Sequence, residues 1–397
     1  MRPIPSLSPL AVCALCVATA CGGCEESGVP ALPKTAPAIV ATAGELPEDE
    51  ALKAAIDRAL NLTVRRHMNS RDHAAWQIVH GILAFDRDLT IEHDGRLVSA
   101  LDWLLDGGEL NGWRLMPGER GLDALLELGS KTGQGHEDQW LGYLSQVGLP
   151  EERPITIHVG DELRTYALHD LVAQAQWDIR DGQEATWTLM GLCTYLSADA
   201  TWTARDGSQW SLERIAAWES SQDLTESACG GSHRLEGLAM ALAAHREQSG
   251  LSIDELSGGW QAAYETIRNA AATIRSYQQP DGTFSTEYFR RPATSPAADL
   301  RLSTTGHQLE FLAMSLPDDE LAEPWVTRSV VQVCRLFEAT QDLAIECGGL
   351  YHAAHGLKLY RERRFGPWTP PRSLADDAGP TESLEDVPPA DDPPAIE

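Results

Sequence analysis

The chain has 397 residues, with 31 Lys and Arg against 59 Asp and Glu, and a formal net charge of −28. Phosphate backbones need Lys and Arg partners, so this balance argues against a nucleic-acid-binding role. Any partner drawn by the surface charge alone would be cationic.

The first element is an apolar run from Leu10 to Ala20 behind the single basic residue Arg2. It has the layout of an export signal and is too short to span a bilayer. Ala18, Thr19 and Ala20 stand directly before Cys21, and this segment resembles a bacterial lipobox. The resemblance implies a signal peptide over residues 1–20, lipidation of Cys21 and a membrane-anchored lipoprotein in the periplasm or at the cell surface. The alternative is ordinary cleavage near Ala20, with Cys21 and Cys24 as plain thiols. Residues 21–46, rich in Ala, Pro and Thr, read as a spacer behind the anchor. At the other end, residues 369–397 are acidic and proline-rich and cannot bury a core. Residues 47–368 carry no Pro/Gly-rich linker, so one long domain is expected there.

Within that domain an internal repeat is the main signal. Ser221-Gln222-Asp223-Leu224 leads to Cys229-Gly230-Gly231 and His233; Thr340-Gln341-Asp342-Leu343 leads to Cys347-Gly348-Gly349 and His352. In both copies the histidine follows the glutamine by eleven positions and precedes a glycine by four. Gly306-His307-Gln308-Leu309-Glu310 repeats Ser232-His233-Arg234-Leu235-Glu236, and weaker copies start at Gln77, His136 and Trp187. Leucines at helical spacing after these starts predict a helix at each, with Gly231 and Gly306 as breakers just ahead. Further helical stretches lie between, at Ser211 to Gln222, Trp260 to Gln279 and Pro324 to Gln341. Only Pro154 to His158 alternates like a strand, so a sheet-based fold is not expected. The predicted fold is all-α, an (α/α)6 toroid of six helix pairs.

Tyr277-Gln278-Gln279-Pro280-Asp281-Gly282-Thr283-Phe284 resembles the Gln-x-x-Asp-Gly-x-aromatic turn of terpenoid cyclases and protein prenyltransferases, which are α/α toroids. Tyr351-His352-Ala353-Ala354-His355 is similar to a prenyltransferase segment that supplies a zinc-binding histidine, and Ser227-Ala228-Cys229 matches the cysteine of the aspartate-x-cysteine ligand pair. Cys229, Cys347 and His352 also resemble the two cysteines and one histidine that hold zinc in lanthipeptide cyclases. These resemblances imply zinc as a cofactor and a transferase or cyclase activity. From the residues alone, a Cys229 to Cys347 disulfide is an equal alternative in an oxidising compartment. Cys193 and Cys334, in apolar runs, are expected as buried thiols.

Parallel inner helices would gather Gln77, His136, Trp187, His233, His307 and His352 at one mouth of a central cavity. One turn on come His80, Gln139, Met190, Glu236, Glu310 and His355. His233, Glu236, His307, Glu310 and His352 are the candidate acid–base residues, with Gln77, His80, His136, Trp187 and His355 lining the cavity. Against this stands the plain alternative that repeated histidines fill packed positions. Three functions follow: processing or binding of a glycan or small metabolite, a zinc-dependent prenyltransferase-like or cyclase-like reaction, and a non-catalytic binding scaffold displayed on the membrane.

Overall fold

The computed structural model describes residues 46–371, so the lipidation site Cys21, the 1–20 signal and nearly all of the spacer and acidic tail lie outside the described residues. In chain order come α1 (Asp49–Val64), β1 (Met68–Asn69), α2 (Ala75–Phe85), β2 (Thr90–His93), β3 (Arg96–Ser99) and α3 (Ala100–Leu105). They are followed by β4 (Leu115–Pro117), β5 (Leu122–Ala124), α4 (Gln139–Gln146), β6 (Pro154–Val159), β7 (Glu162–Ala167), α5 (Leu168–Asp178) and α6 (Thr186–Tyr195). The last part holds β8 (Thr201–Thr203), β9 (Gln209–Ser211), α7 (Leu212–Ser220), α8 (Ser232–Ser249), α9 (Gly258–Ser276), α10 (Ala298–Ser315), α11 (Asp318–Leu321), α12 (Pro324–Ala339) and α13 (Cys347–Phe365). The structure is mostly helical, as expected, and no helix among the described residues is long and apolar enough to cross a membrane.

The helix ends follow local chemistry. Ser211 Oγ accepts the Arg214 amide at the start of α7, Pro324 opens α12, and the Glu346 carboxylate accepts the Gly349 amide at the start of α13. Gly250, in left-handed backbone at φ 70°, closes α8.

Six of the helices carry the repeat starts or lie beside them. Helix α2 packs on α4, α4 on α6, α6 on α8, α8 on α10, α10 on α13, and α13 on α2. Glycines let these neighbours approach. A Cβ on Gly142 would meet the Trp187 backbone and ring, one on Gly306 would lie 2.3 Å from Ala353 Cβ, and one on Gly356 would lie 2.6 Å from the Glu310 amide nitrogen. Gly306 is therefore not a breaker: it sits inside α10, which begins at Ala298, and its missing side chain is what admits α13. The two Cys-Gly-Gly copies also differ. Cys347 starts α13, whereas Cys229, Gly230 and Gly231 all have positive φ, at 48°, 63° and 85°, just before α8.

Strands are more numerous than the sequence pattern implied. Three hairpins, β2–β3, β6–β7 and β8–β9, each run directly into a helix, α3, α5 and α7. Their signals are turns rather than alternation: Asp94 and Gly95 both take positive φ between β2 and β3, and Gly160 and Gly207 do so in the other two. At three to six residues per strand, the alternation is too short to stand out from helical periodicity.

Candidate functional site

At the junction of the six helices lies a cluster of imidazoles and carboxylates. His80 comes from α2, Tyr143 from α4, Trp187 from α6, His233 and Glu236 from α8, His307 and Glu310 from α10, and His352 and His355 from α13. All nine are at least nine-tenths buried. The His352 ring is central, with ring centroids of His307, His233 and His80 at 4.3, 4.8 and 5.2 Å. Trp187 walls one side, 4.7 Å from the rings of both Tyr143 and His233.

Hydrogen bonds orient the rings. Glu310 uses both oxygens: Oε2 accepts from His352 Nδ1 at 2.7 Å and Oε1 from His355 Nδ1 at 2.6 Å. His80 Nδ1 donates to the Trp76 carbonyl and His307 Nδ1 to the Ser303 carbonyl, each four residues back on its own helix. That assignment leaves Nε2 of both rings as a lone pair facing the cluster, and the Tyr143 hydroxyl donates to His80 Nε2 at 2.9 Å. His233 Nε2 lies 3.2 Å from His352 Nε2, while His233 Nδ1 and Glu236 Oε1 are buried without a partner. Buried polar atoms without partners are uncommon and costly, so three in one cluster, with Trp187 Nε1, mark it out.

Electrostatics separates the two carboxyls. Burial raises Glu310, but the His352 charge and the bonds from His352 and His355 prevail and hold it at about 2. Burial and then the neighbouring Glu310 push Glu236 well above the usual carboxylate range. Burial, then His352, pushes His307 down to about 3 and drives His80 and His233 the same way. At neutral pH the centre therefore holds Glu310 as an ionised carboxylate, Glu236 as a protonated carboxyl, and His80, His233 and His307 as neutral imidazoles.

Among the described residues, two donor groups have atoms within 4.8 Å of one another: Cys229, His233 and His307, and His233, Glu236 and His352. Cys347 joins neither. Cys229 and Cys347 are both free cysteines, and the structure brings together neither the Cys229, Cys347, His352 zinc set nor a Cys229 to Cys347 disulfide. Cys193 and Cys334 are free and buried.

Of the sequence candidates, His233, Glu236, His307, Glu310, His352, His80, His355 and Trp187 meet in the cluster. Gln77 instead holds the start of α2, its Oε1 accepting the Ala74 amide at 2.8 Å. His136 is only partly buried and bonds Glu184 Oε2 at 2.8 Å, outside the inner group. The place expected for His136 is taken by Tyr143, two turns further along α4. Its only sequence signal is a tyrosine in the weak copy starting at His136.

Cys229 is an exposed residue whose Sγ lies within 4.8 Å of donor atoms of His233 and His307. A Cβ on Gly230 would strike the Tyr288 ring at 2.2 Å, so glycine is required for the loop to lie on that ring. Tyr288 in turn stands edge-on to His307 at 6.4 Å. Two clefts, of about 220 and 320 Å³, flank the loop and share Ser227.

Comparison of the chain with protein-family models, with curated proteins and with solved structures gives no match.

Proposed function

We propose that the chain is an enzyme that processes a small polar ligand, such as a sugar or another metabolite, by proton transfer at its buried imidazole–carboxylate centre. The carrying observation is the convergence of five histidines, two glutamates and a tyrosine from five helices, with Glu236 Oε1 and His233 Nδ1 left unpartnered. A purely structural cluster would pair these atoms or replace them with apolar groups. In this reading Tyr143 and His80 are the proton couple, since the hydroxyl already donates to an imidazole that has a free lone pair. Glu310 is the positioning residue, fixing the tautomers of His352 and His355.

The scaffold of this proposal is an (α/α)6 toroid. The closed order of contacts α2, α4, α6, α8, α10, α13 supports it, as does the position of α1, α3, α5, α7, α9 and α12 against those six. The remaining part of the proposal is export and anchoring through Cys21, which would place the centre outside the cytoplasm. Partition of the Cys21→Ser variant into the soluble fraction, with the wild type in the membrane fraction, tests that part.

The enzyme reading is tested by incubating the chain with panels of glycans and small metabolites and following product mass. Tyr143→Phe, which keeps the ring packing, should lower any turnover by about 100-fold or more. Turnover unaffected by Tyr143→Phe and by Glu310→Gln would remove this centre from the reaction. Ligand binding without turnover would instead make the protein a displayed scaffold.

A further inference from the structure

We infer that His233, Glu236 and His352 form a binding site for one divalent transition-metal ion of the zinc class, with Glu310 as the carboxylate that orients its histidine ligand. The inference rests on the cluster being the working centre, and it goes further by naming the chemical class of its cofactor.

Geometry supplies the first argument. His233 and Glu236 stand three residues apart on α8 and so share one helix face, while α13 brings His352 opposite them. One donor atom from each lies within 4.8 Å of the other two. The 3.2 Å between the two Nε2 atoms is close to the edge, about 3.3 Å, of a tetrahedron with metal–nitrogen bonds of about 2.0–2.1 Å. Two imidazoles and one carboxylate make a donor set suited to zinc and its neighbours, leaving a fourth position for water or a ligand.

The surroundings supply the second. His352 Nδ1 is tied to Glu310 Oε2, the outer-shell arrangement that fixes a ligating ring and raises its basicity. Glu236 Oε1 is fully buried and unpartnered, an acceptor with nothing to accept from. Charge supplies the third. Among the described residues the ion-pair partners of Glu310 are histidines alone; Arg234, the arginine nearest in sequence to Glu236, is committed to Glu219, and Arg301, the one nearest to Glu310, to Asp281. Glu310 is thus a carboxylate buried without Lys or Arg, and a divalent cation held beside its histidine would offset that charge.

The competing donor group, Cys229, His233 and His307, shares His233 but draws on a surface loop in left-handed backbone and contains no unpartnered carboxylate. The experiment separates the two. The full chain, stripped with chelator, is titrated with Zn2+ by calorimetry and with Co2+ by visible absorption, beside thermal melts of each metal-free variant. One ion per chain is expected, with tetrahedral cobalt bands, no thiolate-to-cobalt charge-transfer band and a rise in Tm on binding. Binding should be lost in His352→Ala and in the near-isosteric Glu236→Gln, and weakened about 10- to 100-fold in Glu310→Gln. Cys229→Ser and His307→Ala should still bind.

Absence of stoichiometric binding by the wild type would overturn the inference. So would binding that survives both Glu236→Gln and His352→Ala in folded protein, or a thiolate band that disappears with Cys229→Ser. Turnover persisting in chelator-stripped protein would overturn the metal site but leave the enzyme reading. Metal binding without turnover on any panel would do the reverse.

Discussion

Replacement of Gly356 by alanine is expected to destabilise the protein and to loosen its centre in one step. The alanine Cβ would lie 2.6 Å from the Glu310 nitrogen and 2.8 Å from its Cα. Ordinary carbon contacts begin at about 3.5 Å, so α10 and α13 would have to part by about 0.7 Å, with backbone on the side that must yield. Overpacking of this kind costs about 1–3 kcal/mol, and the better helix propensity of alanine returns about 0.8–1 kcal/mol. The net expectation is a loss centred on about 1 kcal/mol, or about 1.5 °C in Tm for a domain of this size. Calorimetric melts measure that loss. Proton NMR of the two carboxylate-bound imidazole N–H groups reads the centre, because both bonds run to Glu310, whose backbone must move. A variant with an unchanged or higher Tm and unshifted N–H signals would show that the two helices are not this close, and the account of how Glu310 is placed would fall.

Asp138 offers a pH test. Burial, with further help from Glu137, Asp178 and Asp123, raises its carboxyl to about 7. The folded state therefore holds a proton that the unfolded chain releases near 4, so this side chain's contribution is complete below about pH 4 and falls as pH rises to about 7. The full shift corresponds to about 4 kcal/mol; as the residue keeps partial solvent contact, about 2 kcal/mol is expected. Asp138→Asn should melt above the wild type at pH 8 and level with it near pH 4, and equal gaps at both pH values would contradict the assignment. Thiol labelling followed by peptide mass spectrometry should reach Cys193 and Cys334 only after unfolding; early labelling of this pair would contradict their burial. Gly230→Ala should dislodge the loop from Tyr288, costing about 1–3 kcal/mol and speeding Cys229 labelling, whereas slower labelling would argue against the loop lying on that ring.

The periodicity of the apolar residues was sufficient to find the helices α7, α9 and α12 and the helical segments after each repeat start, because amphipathic spacing is a local property of the chain. The repeat also carried His233, His307 and His352 to one place, since equivalent positions on equivalent helices meet when the helices pack alike. Where a helix is displaced along its axis, that logic fails. His80 stands in for Gln77 and Tyr143 for His136, a shift of one to two turns that depends on where neighbouring helices touch. Those contacts are set by glycine approaches such as Gly142 to Trp187, which no spacing rule reveals. The same limit hid the role of Gly306, read as a breaker because glycine is one in isolation, and used by the fold as a gap for Ala353. Glu236 and Glu310 occupy matching repeat positions and look alike in sequence. Only the packing of α10 on α13 makes one an ionised clamp for two histidines and leaves the other without a partner, because burial and neighbouring charge act through space.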